Sequence, residues 1–223
     1  MTKGIFITGT GTDVGKTYIS ALIVKKLKAD GYNCGYYKPV LSGAEMQNEE
    51  IIAGDCQQVI NCAQIDAKST DLASYVFKTP VSPHLASKLE NISIDIDKIK
   101  NDFANIKANY DYILVEGAGG IICPINIDKN TKLTDIIKML NLDIIIVANA
   151  GLGTINSTVL TVEYAKSKNI NVKGIILNNF EQNNFMHIDN KKQIEALTNI
   201  KIIAEVEKNA TDIDNIANLF GEI

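Results

Sequence analysis

The sequence predicts an α/β protein with a doubly wound, mostly parallel sheet. Three observations predict this class. Strand and helix patterns alternate along all 223 residues, a glycine-broken loop joins the first strand to the first helix, and two later strands are continuously apolar, as in strands buried on both faces. The length fits a single domain over residues 1–223 that can bury a large core.

The first half of the chain begins with a short apolar strand at 5–7. Apolar residues at helical spacing then predict a helix over 16–29, which Asp30-Gly31 ends. Residues 32–38 predict a second strand, stopped by Pro39 because proline has no N–H for a ladder. The remaining predictions here are a helix over 46–63, a mixed loop region over 64–94 with a short helix starting near Ser82 or Pro83, and a helix over 95–108.

The second half contains the most hydrophobic strands. Residues 110–115 form a continuous apolar strand that ends at Glu116, and residues 143–148 form the strongest strand of the chain. The other predicted elements are helices over 132–140, 155–168, 189–198 and 211–220, and strands over 171–177 and 200–206. Strands separated by helices require crossovers and a parallel sheet. Ligands of such sheets collect at the carboxyl ends of the strands.

The composition of the chain argues against several classes of binding partner. A formal net charge of −4 and a sequence pI near 5.3 argue against nucleic acid as a partner. No run approaches the ~20 apolar residues of a membrane span, and the first apolar run is too short for a signal peptide. The four cysteines form no CxxC pair, which favours free thiols in a cytoplasmic protein. The two histidines lack zinc-ligand spacing.

The loop between the first strand and helix predicts a phosphate site. Residues 4–18 read GIFITGTGTDVGKTY, and the N–H groups at a helix start bind anions. Lys16 would reach the outer phosphates, and the Thr17 hydroxyl would ligate Mg²⁺. The usual G-x-x-x-x-G-K-[ST] pattern would need glycine at Thr10. Gly9 lies one residue earlier, so this loop is one residue longer than in that pattern. The context predicts a nucleotide site and a sheet of the P-loop NTPase type.

Other polar residues follow predicted strand ends. Lys38 and Ser42 follow the second strand, and Lys38 is either a cation aimed at the phosphate edge or a lysine snorkelling off the strand. Glu116 is either an acid near Mg²⁺ or a turn-capping glutamate. Asp55 alone would pass for a solvated acid. Asn178 could offer its amide to a purine edge, and adenine is favoured since no Asn-Lys-x-Asp motif follows.

Together these motifs resemble a known family. GTGTDVGKT with its longer loop, YKPVLSG, the isolated Gly-Asp pair at Asp55, VEGAGG and GLGTINS are similar in order and spacing to the dethiobiotin synthetases. The resemblance implies a homodimer with active sites near the dimer interface. It also implies ATP- and Mg²⁺-dependent carboxylation of 7,8-diaminononanoate with CO₂, through a carbamate and a carbamic-phosphoric anhydride. Ring closure would give dethiobiotin, ADP and phosphate.

The resemblance also implies roles for individual residues. Catalytic groups would be Lys38, Lys16 and Thr12, and Mg²⁺ ligands would be Thr17, Asp55 and Glu116. Nucleotide contacts would come from Asp13, Val14, Gly15, Lys16, Thr17, Tyr18, Asp55, Glu116, Gly117, Ala118, Gly119, Asn178 and Asn179. The substrate would contact Thr12, Lys38, Ser42, Gly153, Thr154 and Asn156, the last three from the partner subunit. Two positions depart from the family pattern: Glu207 stands where proline is expected, and Ser157 where histidine is common.

Three other functions remain as alternatives. A partition or septum-positioning ATPase would carry a signature lysine at the position of Thr10. A glutamine-dependent amidating ligase would need an ammonia-generating domain, for which the chain has no room. A catalytically silent ATP-binding regulator is disfavoured by the intact Lys16, Thr17 and Glu116.

Overall fold

The computed structural model of the protein describes residues 2–214 and 216, and its central feature is a seven-stranded parallel sheet. The strand order is β11-β10-β9-β1-β6-β2-β5, with every neighbouring pair parallel. Helices cover both faces, which confirms the predicted doubly wound α/β class.

The described elements alternate as expected from the hydrophobic pattern. The strands are β1 (Lys3–Gly9), β2 (Cys34–Ser42), β3 (Glu45–Gln47), β4 (Glu50–Ile52), β5 (Ala73–Phe77), β6 (Tyr112–Glu116), β7 (Pro124–Asn126), β8 (Thr131–Lys132), β9 (Asp143–Asn149), β10 (Val172–Asn178) and β11 (Ile202–Val206). The helices are α1 (Lys16–Ala29), α2 (Gly54–Ala63), α3 (Pro83–Leu89), α4 (Ile96–Lys107), α5 (Leu133–Leu140), α6 (Thr154–Ser167) and α7 (Phe185–Thr198), with a 3₁₀ turn at Ser69–Leu72.

Two hydrophobic layers enclose the sheet. One layer packs α1 and α2 against it through residues such as Ile23 and Val59. The other packs α3 to α7 through residues such as Phe103 and Val162. Because apolar side chains are needed on both faces, β6 and β9 are continuously hydrophobic. Between β6 and β9 lies β1, which places the loop after β1 at the centre of the carboxyl edge.

The prediction that Pro39 stops the second strand is wrong. β2 continues to Ser42, so Lys38 lies within the strand and Ser42 is its last residue. β2 pairs with β6 only as far as Tyr37, and it pairs with β5 over Lys38 to Ser42. Beyond Tyr37 one edge of β2 is therefore unpaired, which is the situation in which a strand tolerates proline.

The prediction of one helix over 46–63 is wrong in its first half. A β3–β4 hairpin occupies this stretch, turning at Asn48 and Glu49, both with positive φ (47° and 67°). Helix α2 begins only at Gly54. The 64–94 region was also more ordered than predicted, because Ala73–Phe77 adds the edge strand β5. The short helix α3 does begin at Pro83, as predicted.

The remaining predictions hold with small shifts in bounds. Helix α5, strand β9 and helix α6 match the predicted positions. Helix α7 begins at Phe185 and not at 189, with Asn184 capping its first turn. Of the predicted helix over 211–220, residues 211–214 are not helical, and 215 and 217–220 lie outside the described residues.

Candidate active site

The loop between β1 and α1 folds around its own lysine. Gly15 is the N-cap of α1 and adopts φ 94°, and Asp13 also has a positive φ of 58°. The Lys16 ammonium donates to the Gly11 carbonyl oxygen at 2.8 Å, so the side chain lies back across the loop. The α1 N-terminus and the ammonium therefore present positive charge to the same space, as a phosphate site requires.

A compact polar cluster faces this loop. Glu116, the last residue of β6, is fully buried, and its Oε1 accepts from the Thr17 hydroxyl at 2.7 Å. The Lys38 ammonium donates to the same Oε1 at 2.6 Å and contacts Asp55 Oδ2 at 2.5 Å. Tyr36 donates its hydroxyl to Glu116 Oε2 at 2.9 Å. The tertiary fold thus joins residues from β2, α1, α2 and β6 into one network.

Charge placement shifts the titration of both lysines. Burial alone would lower the pKa of Lys38, but the Glu116 and Asp55 carboxylates outweigh it and raise the pKa of this lysine. Burial, followed by the positive charge of Lys38, lowers the pKa of Lys16. The two carboxylates therefore keep Lys38 positively charged, whereas an anion bound beside Lys16 would stabilise the charged form of that lysine.

Most of the predicted site residues line one cleft of about 450 Å³. Its wall contains residues that were predicted to bind the nucleotide and residues that were predicted to bind the substrate: Thr12, Asp13, Gly15, Lys16, Thr17, Tyr18, Lys38, Ser42, Asp55, Glu116, Gly117, Ala118 and Gly119. Asp55 belongs to the site because it lies in the first turn of helix α2, where its carboxylate contacts Lys38 of β2. The structure thus brings the phosphate loop, both lysines and both carboxylates to one space.

Asn178 lies behind the phosphate loop. Its Nδ2 donates to the Val14 carbonyl oxygen at 3.0 Å, while its Oδ1 is buried with no hydrogen-bond partner among the described residues. Asn179 follows in the left-handed region at φ 56°. Val14 and these two asparagines stand outside the cleft wall.

The residues predicted to bind the far end of the substrate lie outside the phosphate cleft. Gly153 caps α6, and Thr154 is buried with its hydroxyl 3.3 Å from that of Thr158. Asn156 lines a second groove of about 320 Å³ that starts at Thr10 of the phosphate loop. The rest of its wall is Gly120, Ile121, Ile122, Ser157, Leu160 and Thr161. Within one subunit these residues do not line the phosphate cleft.

A third cavity of about 680 Å³ lies beyond the end of β10. Phe180 to Phe185 form one side, and Glu207 and Lys208 form the other. Glu207, the position that departs from the family pattern, therefore stands on the wall of this cavity. Tyr18, which lines the phosphate cleft, donates its hydroxyl to the carbonyl oxygen of Ala210, three residues after Glu207.

Two residues of the cleft wall and one residue behind it escaped the sequence analysis. Val40 and Gln58 line the wall, and Tyr36, outside the wall, donates its hydroxyl to Glu116. Tyr36 had a usable signal: it is two residues before Lys38 in a strand, so both side chains point to the same face. Gln58 had none, because its place in the wall depends on how α2 packs.

The oxygen donors fit Mg²⁺. Thr17 and Glu116 are already in contact, and Asp55 and Glu116 converge on one cation, the Lys38 ammonium. Two carboxylates and a hydroxyl suit a metal that keeps several waters and takes its other ligands from substrate phosphates. Within residues 2–214 and 216 there is no cluster of three or more His, Cys, Asp or Glu side chains that could hold a metal ion.

Solved structures share the architecture. The chain superposes on a ParA family ATPase from Chlorobium tepidum TLS with a TM-score of 0.57 and 16% identity, covering 94% of this chain and 86% of that one. A chain of the MinC:MinD cell division protein complex of Aquifex aeolicus gives a TM-score of 0.57 and 20% identity, with 93% and 82% covered. At these identities the likeness shows a shared fold. No helix within the described part of the chain is long and apolar enough to span a membrane.

Sequence relatives decide the family. A family model described as an AAA domain matches residues 3–215. The chain is 55% identical over 215 residues to the ATP-dependent dethiobiotin synthetase BioD of Clostridium botulinum strain Alaska E43, covering 96% of this chain and 94% of the relative. The same-named protein of strain Loch Maree is 53% identical over 203 residues, covering 91% and 89%. The resemblance predicted from the motifs is confirmed: the chain belongs to the family of ATP-dependent dethiobiotin synthetases.

Proposed function

We propose that this protein is an ATP- and Mg²⁺-dependent cyclo-ligase that converts 7,8-diaminononanoate and CO₂ into dethiobiotin, ADP and phosphate. The observation that carries the proposal is the position of the Lys38 ammonium. It lies in the cleft of the phosphate loop, between the Asp55 and Glu116 carboxylates. A buried cation beside a nucleotide site suits a reaction that joins two anions.

Thr17, Asp55 and Glu116 would hold Mg²⁺, since all three line the cleft and offer oxygen atoms. The bound ion would neutralise phosphate charge as the γ-phosphoryl group is transferred. Lys16 would bind the outer phosphates, and the N–H groups at the start of α1 would complete their binding site. The Lys16 ammonium uses one of its three donors on the Gly11 carbonyl at 2.8 Å, and the other two would be available to phosphate oxygens.

Lys38 would act on the substrate side of the cleft. One amine of the substrate adds to CO₂ and loses a proton, which forms an anionic carbamate. Two unit charges 4 Å apart repel by about 4 kcal/mol at an effective dielectric constant of ~20. The Lys38 ammonium would offset this repulsion as the carbamate oxygen approaches the γ-phosphorus.

The remaining steps balance without another reactant. The carbamate oxygen forms a bond to the γ-phosphorus as the bond to ADP breaks, which gives a carbamic-phosphoric anhydride. The second amine then attacks the carbonyl carbon and loses a proton, phosphate leaves and takes up that proton, and the five-membered urea closes. Thr12 and Ser42, both in the cleft wall, would hydrogen-bond the diamine end or the carbamate.

The far carboxylate of the substrate would bind at the start of α6, near Gly153, Thr154 and Asn156, where a helix N-terminus favours an anion. We place this helix end in the partner subunit of a homodimer, because within one subunit it does not line the phosphate cleft. Exposed apolar residues support an interface on this side: Ile122, Leu152 and Leu160 are 54%, 93% and 62% exposed. Such residues would also form the apolar trough for the carbon chain.

The other predicted residues would contact the nucleotide. Asp13, Val14, Gly15, Tyr18 and the stretch Gly117 to Gly119 would surround the phosphates and the sugar. Asn178 and Asn179 would border the adenine, with Asn178 Oδ1, which has no partner among the described residues, as an acceptor.

The proposed location is the cytoplasm. All four cysteines are free, and free thiols are the usual state of cysteines in the reducing cytoplasm.

The deciding experiment is phosphate release from ATP, measured with and without diaminononanoate and bicarbonate. We expect release only when both are present, with one dethiobiotin formed per phosphate. A steady ATPase activity that needs neither compound would contradict the proposal and favour a switch ATPase. Absence of any turnover with all substrates and Mg²⁺ would favour a silent nucleotide-binding regulator.

A further inference from the structure

The Glu116 carboxylate has a different partner on each of its two sides. Oε1 faces the cleft, where it accepts from Thr17 at 2.7 Å and from Lys38 at 2.6 Å. Oε2 faces the interior and accepts from the Tyr36 hydroxyl at 2.9 Å. Glu116 and Tyr36 are both fully buried in the described part of the chain, so water cannot take the place of the Tyr36 hydroxyl at Oε2.

Tyr36 differs from the other two donors to Glu116. Thr17 and Lys38 line the cleft and have substrates or metal to bind, whereas Tyr36 does not line it. Tyr36 is fully buried and outside the cleft wall, so its hydroxyl cannot exchange Glu116 for a ligand in the cleft.

We infer that Tyr36 is a positioning residue that holds Glu116 by Oε2, so that Oε1 stays turned toward Thr17 and the metal. This inference rests on the proposed magnesium–ATP chemistry and adds to it a residue outside the cleft. Without the hydroxyl, Oε2 is left buried and unpaired, and the carboxylate gains from rotating toward Lys38 or water. Partners that orient a metal ligand change metal affinity about 10- to 100-fold when they are removed.

The neighbouring residue offers a matched control. Tyr37 is as buried as Tyr36 but points to the opposite face of β2, where its hydroxyl lies 2.6 Å from Ser74 Oγ. It also donates to the Ile99 carbonyl at 3.2 Å. Tyr36→Phe and Tyr37→Phe thus each remove one buried hydroxyl from the same strand, and only the first touches Glu116.

The test measures binding, not turnover. A non-hydrolysable ATP analogue is titrated calorimetrically into wild type, Tyr36→Phe and Tyr37→Phe, with EDTA and over a series of Mg²⁺ concentrations. We expect Tyr36→Phe to raise the Mg²⁺ concentration for half-maximal tightening about 10- to 100-fold, and to leave binding in EDTA unchanged. Tyr37→Phe should match wild type in both conditions, with thermal melting reported for both variants.

A double-mutant cycle with Glu116→Gln separates a direct from an indirect effect. If Tyr36 acts through Glu116, Tyr36→Phe adds no further loss of Mg²⁺ dependence in that background. The inference is overturned if Tyr36→Phe keeps the wild-type Mg²⁺ dependence, weakens binding equally in EDTA, or adds its full effect to Glu116→Gln. If wild type itself shows no Mg²⁺ dependence, the proposed metal chemistry fails, which is a distinct result.

Discussion

At the scale of single residues, the site depends on one lysine that is buried without losing its charge. The Lys38 side chain is 4% exposed, and burial of an unpaired ammonium would favour its neutral form. Glu116 and Asp55 reverse this preference by direct contact. This cation compensates two carboxylates, and in the proposed mechanism it would also offset the charge of the anionic reactant.

Lys38→Ala should reduce kcat about 100- to 1000-fold, the usual effect of removing one preorganised electrostatic group. The affinity for ATP should fall less than in Lys16→Gln, because Lys16 belongs to the phosphate loop and Lys38 faces the second reactant. Steady-state kinetics and nucleotide binding of the two variants check this. Normal turnover of Lys38→Ala would require another residue to stabilise the carbamate.

Binding of ATP at alkaline pH should be accompanied by proton uptake. Burial and the charge of Lys38 lower the pKa of Lys16 from 10.5 in the free protein, and the phosphates should raise it again. In the window just below 10.5 the unfolded chain binds more protons at this residue, so its contribution to the free energy of unfolding rises with pH.

Calorimetric titration in two buffers of different ionisation enthalpy measures this uptake. Lys16→Gln should abolish it, since the variant has no group to titrate at that position. An equal uptake in wild type and Lys16→Gln, or a release of protons, would show that another group titrates on binding.

At the scale of elements, the shape of the phosphate loop depends on one glycine. Gly15 has φ 94°, and a Cβ added there would lie 2.1 Å from Asn178 Nδ2. A side chain would therefore strain the backbone and separate α1 from the end of β10. Gly11 in the same loop has open space around its Cβ position.

Gly15→Ala should lower the free energy of unfolding by about 1–3 kcal/mol, the cost of a non-glycine residue held in the left-handed region. Gly11→Ala is the matched control and should change stability little. Urea denaturation of both variants gives the comparison. Equal stability of Gly15→Ala and Gly11→Ala would mean that the loop can relax around the added methyl group.

At the scale of the whole molecule, two grooves meet at the phosphate loop. The polar cleft holds both lysines, and the less polar groove along α6 begins at Thr10. The exposed side chains of Ile122 and Leu160 line the second groove, whereas none of the exposed large hydrophobic residues of the described part of the chain lines the first. This arrangement supports a subunit interface that completes the substrate site.

Leu160→Glu should convert a dimer into monomers and weaken diaminononanoate binding, while ATP binding is retained. Leu160 is 62% exposed in the groove, and a carboxylate there would be buried without a partner on association. Leu197→Glu, at a residue 60% exposed on α7, is the control and should remain dimeric. Sedimentation velocity of wild type and both variants tests this. A monomeric wild type, or a dimeric Leu160→Glu, would contradict the proposed interface.

The sequence by itself determined the sheet class, the phosphate loop and the family. These features are local or periodic: apolar runs such as 143–148 (Asp143–Asn149 in the structure) and the GTGTDVGKT loop can be recognised without knowing what packs against them. It also placed Glu116 at the end of its strand, whereas Lys38, predicted at the end of the second strand, lies within β2. The site residues predicted from the resemblance stay predictions for the experiments above.

Only the tertiary structure decided where β2 ends, where helix α2 begins and which buried residue donates a hydrogen bond to Glu116 Oε2. Pro39 is tolerated because β2 has lost its β6 neighbour by that point, and no local signal contains that information. The β3–β4 hairpin turns at Asn48-Glu49 without the glycine that usually marks such turns. Tyr36 and Glu116 are 80 residues apart, and their contact exists because β2 and β6 are neighbours in the sheet.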